Sequence, residues 1–211
     1  MTLREQLVSE NKRRWLDFGC GGKSEESVKE GFIVADMFPP EEIPEVVRSQ
    51  YHQLDILTAS PSELAELGSF DFIRMQHVFE HFSFEEGLLA LQGLGRLLEP
   101  GGLLLITTPD LRIHIKKYMD GGYADWVGFK WWANKRIPED APPSAYFSIF
   151  AHSIPFEQHK WCYDAEGIQY QLGRAALFTD IEELTLDNPL SEIPFTHNRP
   201  EEDVCIIARK K

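Results

Sequence analysis

The sequence predicts an α/β domain built on a mainly parallel sheet with helices on both faces. Three observations carry this. Short apolar runs alternate with helix-start signals, the connections between them are short, and "LLLIT" at 103–107 is apolar throughout, as a strand covered on both faces must be. The 211 residues suit one domain, taken as 1–211, and no repeat, low-complexity tract or linker divides it.

After a short amphipathic start, "RWLDF" at 14–18 reads as a first buried strand ending at Gly19. "FIVAD" at 32–36 is a second and "YHQLD" at 51–55 a third. Ser60, Pro61 and Glu63 supply an N-cap, a first-position proline and a capping-box acid for a short helix that stops near Gly68. "FDFIRM" at 70–75 is a fourth strand. Ser83 and Glu86 form a second capping box, opening a helix in which Leu88, Leu91, Leu94, Leu97 and Leu98 recur at helical spacing. Pro100, Gly101 and Gly102 end it, and 103–107 is the fifth strand.

The regularity then stops. From 109 to about 160 aromatics, glycines and prolines crowd a stretch that predicts a lid or binding insert. Asp164 can cap a helix running to 178. "DIEELTL" and "EDVCIIARK" then alternate like two half-buried strands, an antiparallel pair at one sheet edge.

Net charge is -13, which disfavours nucleic acid as the main partner, and the basic clusters at 12–14 and 209–211 are too short to overturn that. Cys20, Cys162 and Cys205 are sparse and lack CxxC spacing, as in a reducing compartment. No segment approaches the roughly 18 apolar residues of a membrane span, and the start lacks a signal-peptide core. A cytoplasmic protein is expected; the oligomeric state stays open.

The stretch "WLDFGCGGKSEE" at 15–26 poses the functional question. Its Gly-Lys-Ser suggests an ATP-binding loop, but the required earlier glycine is Asp17, a carboxylate where phosphate oxygens must approach. A dinucleotide fingerprint fits partly: Gly19 and Gly21 supply two glycines and Asp36 could hold a ribose, but the third glycine is Ser24 and Asp17 again opposes pyrophosphate. A cationic, phosphate-free adenosine ligand uses every residue. Asp17 would then sit near the ligand's ammonium, directly or through water. The glycines would let the backbone approach, Asp36 would take the ribose hydroxyls, and Asp55 the adenine amino group.

At this point the chain resembles the class I S-adenosylmethionine-dependent methyltransferases, through "LDFGCGG", Asp36 of "VAD", Asp55 of "LDIL", "FDFIRMQHVFEHF" and "LLEPGGLLLITTPD". Within that family it is similar to small bacterial members found among sugar- and polysaccharide-modifying proteins, which share "His-Lys-Trp-x-Tyr-Asp", here 159–164. The resemblance implies a Rossmann-like, seven-stranded, mainly parallel sheet with an antiparallel last strand and an aromatic-rich insert after strand five. It also implies S-adenosyl-L-methionine as cofactor, held by Asp17, Gly19, Cys20, Gly21, Asp36, Asp55 and Gln76. Only about ten residues separate Gly22 from the second strand, too few for the full helix that usually follows such a loop.

"HVFEH" at 77–81 also matches the H-x-x-E-H pattern of a zinc peptidase group. That chemistry needs a sustained helix and a third ligand, whereas Ser83 starts a new helix two residues on, so no metal is expected. His81 reads as a backbone-bonding residue. His77, at the carboxyl end of the fourth strand, and His159, at the end of the insert, are the candidate general bases, with His152 a weaker one. Trp126, Trp131, Trp132, Phe147 and Phe150 suit either an acceptor pocket or a second core layer. Cys162 and Cys205 read as packing residues.

The function expected is methyl transfer from S-adenosylmethionine to an oxygen or nitrogen of a small, sugar-containing acceptor. A non-catalytic cofactor-binding module and a protein or RNA methyltransferase are the alternatives.

Overall fold

The computed structural model describes residues 1–21, 24–121, 158–185 and 201–211. A seven-stranded sheet forms its centre: β1 (Trp15–Phe18), β2 (Ile33–Asp36), β3 (Tyr51–Gln53), β4 (Phe70–Gln76), β5 (Leu98–Pro109), β6 (Phe178–Glu183) and β7 (Asp203–Lys210), ordered β3-β2-β1-β4-β5-β7-β6. Strands β1 to β5 pair in parallel, and β7 lies antiparallel to both β5 and β6. This is the sheet that the resemblance implied.

Period-2 alternation divides the side chains between two cores. Leu16, Phe18, Ile73, Met75, Leu104 and Ile106 point to one face, where α3 (Pro61–Leu67), α4 (Phe84–Leu97) and α6 (Ala165–Ala175) cover them. Trp15, Val34, Phe72, Leu103 and Leu105 point to the other, covered by α1 (Leu3–Ser9) and the 3-10 turn Glu45–Gln50. Leu91, Leu94 and Leu97 of α4 are fully buried, so truncating any one to alanine should cost about 2–5 kcal/mol.

Both predicted capping boxes form, Ser60 with Glu63 and Ser83 with Glu86, and Thr2 with Glu5 makes a third. Asp164 caps α6 through the Gly167 N–H. That helix stops short of 178 because Ala176 turns left-handed, with φ 57°.

Other boundaries differ from expectation too. β5 starts at Leu98, not 103, because Leu98 pairs with Phe70 before a register shift. The region after Pro109 opens with a helix, α5 (Leu111–Met119), capped by Asp110. The short crossing from the glycine loop holds α2 (Ser24–Glu30), seven residues long, about two turns. His152 and the insert aromatics Trp126, Trp131, Trp132, Phe147 and Phe150 lie outside the described residues.

Candidate active site at the carboxyl ends of the strands

The strand order turns the chain one way from β1 to β2 and β3, and the other way from β4 to β5. The crevice of an open α/β sheet lies at that switch, outside the carboxyl ends of β1 and β4. Gly19 to Gly21 leave β1 there, Asp36 ends β2, and Gln76 and His77 leave β4.

Gly19 is left-handed, with φ +75°, and a Cβ on it would lie 2.3 Å from Cγ2 of Val78. Only glycine fits. Gly21 is left-handed too, with φ +46°, and among the described residues nothing stands within 4 Å of where its Cβ would be. Its N–H donates to Oδ2 of Asp36 at 2.8 Å, and the Met37 N–H donates to Oδ1 at 2.7 Å. Asp36 is buried, and that burial raises its carboxyl above the usual range although backbone donors pull the other way. Cys20 offers only its backbone: its thiol is buried in the core, where burial, then Asp17 and Asp36, push its pKa up.

Asp17 is paired within the chain. Its Oδ1 accepts from Arg74 Nε at 3.1 Å, its Oδ2 from Arg74 Nη2 at 2.9 Å, and Ser27 donates its hydroxyl as well. Both residues are 4% exposed. The cation that Asp17 meets in this structure is the chain's own arginine. Asp55 is exposed just past β3, and its carboxylate accepts from the Leu57 N–H and the Thr58 hydroxyl, each at 3.0 Å. Gln76 is half-buried at the end of β4, opposite Thr107.

His77 is held on every side. Its backbone has φ 53°, its N–H donates to the Thr107 carbonyl, Nε2 lies 2.8 Å from Oδ2 of Asp203, and Nδ1 lies 3.2 Å from Oε1 of Glu80. Burial opposes its charge, but the carboxylates of Asp203 and Glu80 outweigh it and lift the pKa to about 9. His77 is thus clamped between two buried carboxylates at the end of β4.

His159 lies on the far side of Glu80. The 3-10 turn Phe79–His81 is zipped to 158–161: the N–H groups of Lys160 and Trp161 donate to the Glu80 carbonyl at 2.8 and 3.2 Å. His81 Nδ1 donates to the Gln158 carbonyl at 3.1 Å, the backbone bond expected of it. The His81 and His159 rings meet edge-on with centroids 5.0 Å apart. Burial alone would raise the Glu80 carboxyl, but His77, with His159 and His81 beyond, holds it low.

Sequence reading missed Arg74, Glu80 and Asp203. Arg74 did leave a signal, being the one cation in "FDFIRM", in register with the one anion of "WLDF". Asp203 left none, since only β5–β7 pairing brings it to His77.

The profile of the family described as "Methyltransferase domain" matches residues 2–141, about two thirds of the chain. The chain belongs to that family. The methyltransferase thus falls in the class I S-adenosylmethionine-dependent enzymes that the motif series implied, with S-adenosylmethionine as cofactor. Its fold is similar to N-methyltransferase NodS from Bradyrhizobium japonicum WM9, in complex with S-adenosyl-L-homocysteine: TM-score 0.52, 15% identity, 99% of this chain and 83% of that one. It is also similar to magnesium protoporphyrin IX methyltransferase from Synechocystis PCC 6803 with bound S-adenosyl-L-homocysteine: TM-score 0.53, 12% identity, 98% and 80% coverage. An O-methyltransferase family protein from Burkholderia thailandensis gives TM-score 0.58 at 12% identity, over 97% of this chain but 52% of that one. These likenesses concern the fold. No curated protein sequence matches the methyltransferase.

Among the described residues, no helix is long and apolar enough to cross a membrane.

Proposed function

We propose that the chain methylates an oxygen or nitrogen of a small, sugar-containing acceptor, with a hydroxyl oxygen the better fit. One observation carries the reading: a carboxylate–imidazole cluster, Glu80, His81 and His159, follows β4 at the carboxyl edge of the sheet where the glycine loop leaves β1. An amine acceptor only has to be bound neutral, whereas a hydroxyl must also lose a proton. A cluster of this kind is built for the second task.

Bound S-adenosylmethionine supplies a methyl already made electrophilic by its sulfonium. The protein's work is to hold the two molecules in line and exclude water. In this reading Asp36 accepts from the ribose hydroxyls, the backbone of 19–21 lies along the methionine portion, and Gln76 borders it. Asp55 serves the adenine amino group through its exposed carboxylate. Asp17 acts indirectly, by anchoring the loop to Arg74. His159, in place of His77, takes the acceptor proton in this reading. As the acceptor oxygen bonds to the methyl carbon, the carbon–sulfur bond breaks and its electron pair stays on sulfur.

Small size of the acceptor is supported by the net charge of -13, which repels polyanions. The sugar class is supported by the "His-Lys-Trp-x-Tyr-Asp" match at 159–164. The lid role of 109–160 belongs to the same proposal. Calorimetric titration with S-adenosylmethionine and S-adenosylhomocysteine, against ATP and NAD, is the test. Binding of both methionine derivatives, and of neither phosphate ligand, is expected. Sugar acceptors can then be screened for homocysteine-derivative release. If neither methionine derivative binds, the reading fails.

A further inference from the structure

We propose that Glu80, His81 and His159 bind one divalent transition-metal ion of the zinc class, leaving a coordination position open for the acceptor. The ion's part in catalysis rests on the methyl-transfer reading above; its binding does not.

Three features converge. One carboxylate oxygen and one ring nitrogen from each histidine lie within 4.8 Å of one another. Glu80 is 1% exposed, and its Oε2 has no hydrogen-bond partner among the described residues, an expensive state for a buried carboxylate that a cation would relieve. The third feature is the His81 tautomer. A carbonyl can only accept, so the bond to the Gln158 oxygen fixes the proton on Nδ1 and leaves Nε2 as the ligating lone pair. Metal-bound histidines are oriented by a bond of this type through the other ring nitrogen.

Two imidazoles and a carboxylate suit zinc and its first-row neighbours, whereas magnesium and calcium prefer all-oxygen sets. Three protein ligands plus one open position is the arrangement of catalytic rather than structural zinc. The donors need to close by roughly 1 Å to reach bonds of about 2.0–2.2 Å. The sites of Glu80 and His159 are already fastened by the backbone bonds between Glu80 and 160–161, so that closure involves side chains alone.

An acceptor hydroxyl at the open position would lose its proton to solvent more readily, because the cation stabilises the alkoxide. That oxygen then forms the bond to the methyl carbon while the carbon–sulfur bond breaks, its electron pair remaining on sulfur. His159 is then a ligand, and the acidity comes from the ion.

The experiment uses the full chain, stripped with a chelator, titrated calorimetrically with Zn²⁺ and by absorbance with Co²⁺. Wild type is expected to take up one equivalent. His81→Gln and His159→Gln should each weaken uptake at least tenfold, with unchanged melting of the metal-free proteins. No stoichiometric uptake by wild type, or uptake unaltered in both variants, overturns the site. S-adenosylhomocysteine is titrated into the same samples. If it fails to bind while Zn²⁺ binds, the ion's catalytic role falls and the metal site stands.

Discussion

Arg74 on β4 lays its guanidinium along the carboxylate of Asp17, its cross-strand neighbour on β1. Glu30 accepts from the same guanidinium at 3.1 Å, and the ring of Phe32 lies 4.2 Å beneath it. The group ties α2 to the sheet just below the glycine loop. One guanidinium thus bridges two carboxylates, and the group shapes the loop from below.

Breaking that pair from one side strands a buried charge. Arg74→Met is expected to cost about 3–5 kcal/mol, because desolvation of Asp17 is then uncompensated. Asp17→Leu combined with Arg74→Met should recover most of the loss. Urea unfolding of the single and double variants checks this. A single-variant cost under about 1 kcal/mol would show that the pair contributes little.

Gly19→Ala meets two penalties, the left-handed backbone and the contact of its new Cβ with Val78 at 2.3 Å. The backbone part alone should cost about 1–3 kcal/mol. Adding Val78→Ala should relieve the contact but not the backbone strain, so the double variant stays below the Val78→Ala single. Thermal melts of the three proteins decide it; a double variant equal to Val78→Ala would remove the strain argument.

Most of this fold was legible because its signals are local. Capping boxes at Ser60 and Ser83 mark helix starts within four residues, and β1, β2 and β4 announce themselves as apolar runs. The bounds of β5 were not, since its first residue is set by a partner strand, and α5, as "LRIHIKKYM", carries too many cations to show an apolar stripe. The site divides the same way. Gly19, Gly21 and Asp36 stand where the spacing put them. The partners of Asp17 and His77, Arg74 and Asp203, are 57 and 126 residues distant, beyond any periodic pattern.

Asp36 gives a pH signature. Burial raises its carboxyl, so the folded chain holds that proton more readily than the unfolded one. The sign is then fixed: this group favours folding at low pH, and its contribution is lost as pH rises through the raised folded value. In the proposed function ribose binding needs the charged form, so affinity for S-adenosylhomocysteine should fall in the same window as pH drops. Asp36→Asn is expected to weaken binding by about 1–3 kcal/mol and to flatten both profiles. The measurement is calorimetry and melting of both proteins across the acid range. Parallel wild-type and variant profiles would exclude Asp36 as the titrating group.

His77 sits between Asp203 and Glu80, so its removal leaves two buried carboxylates facing each other without a cation. His77→Gln should therefore act on stability first. A loss of about 3 kcal/mol is expected from the uncompensated charge, which lowers the melting temperature of a chain this size by roughly 6–12 °C. Pairing it with Asp203→Asn should show a coupling of about 0.5–3 kcal/mol, since one member of the repulsive pair is then neutral. Cofactor affinity, which the proposed function places on the loop and Asp36, should change little. A base would behave in the opposite way, losing turnover at constant stability. If chelator-treated His77→Gln melts like wild type, the carboxylate clamp is not what holds this corner of the sheet.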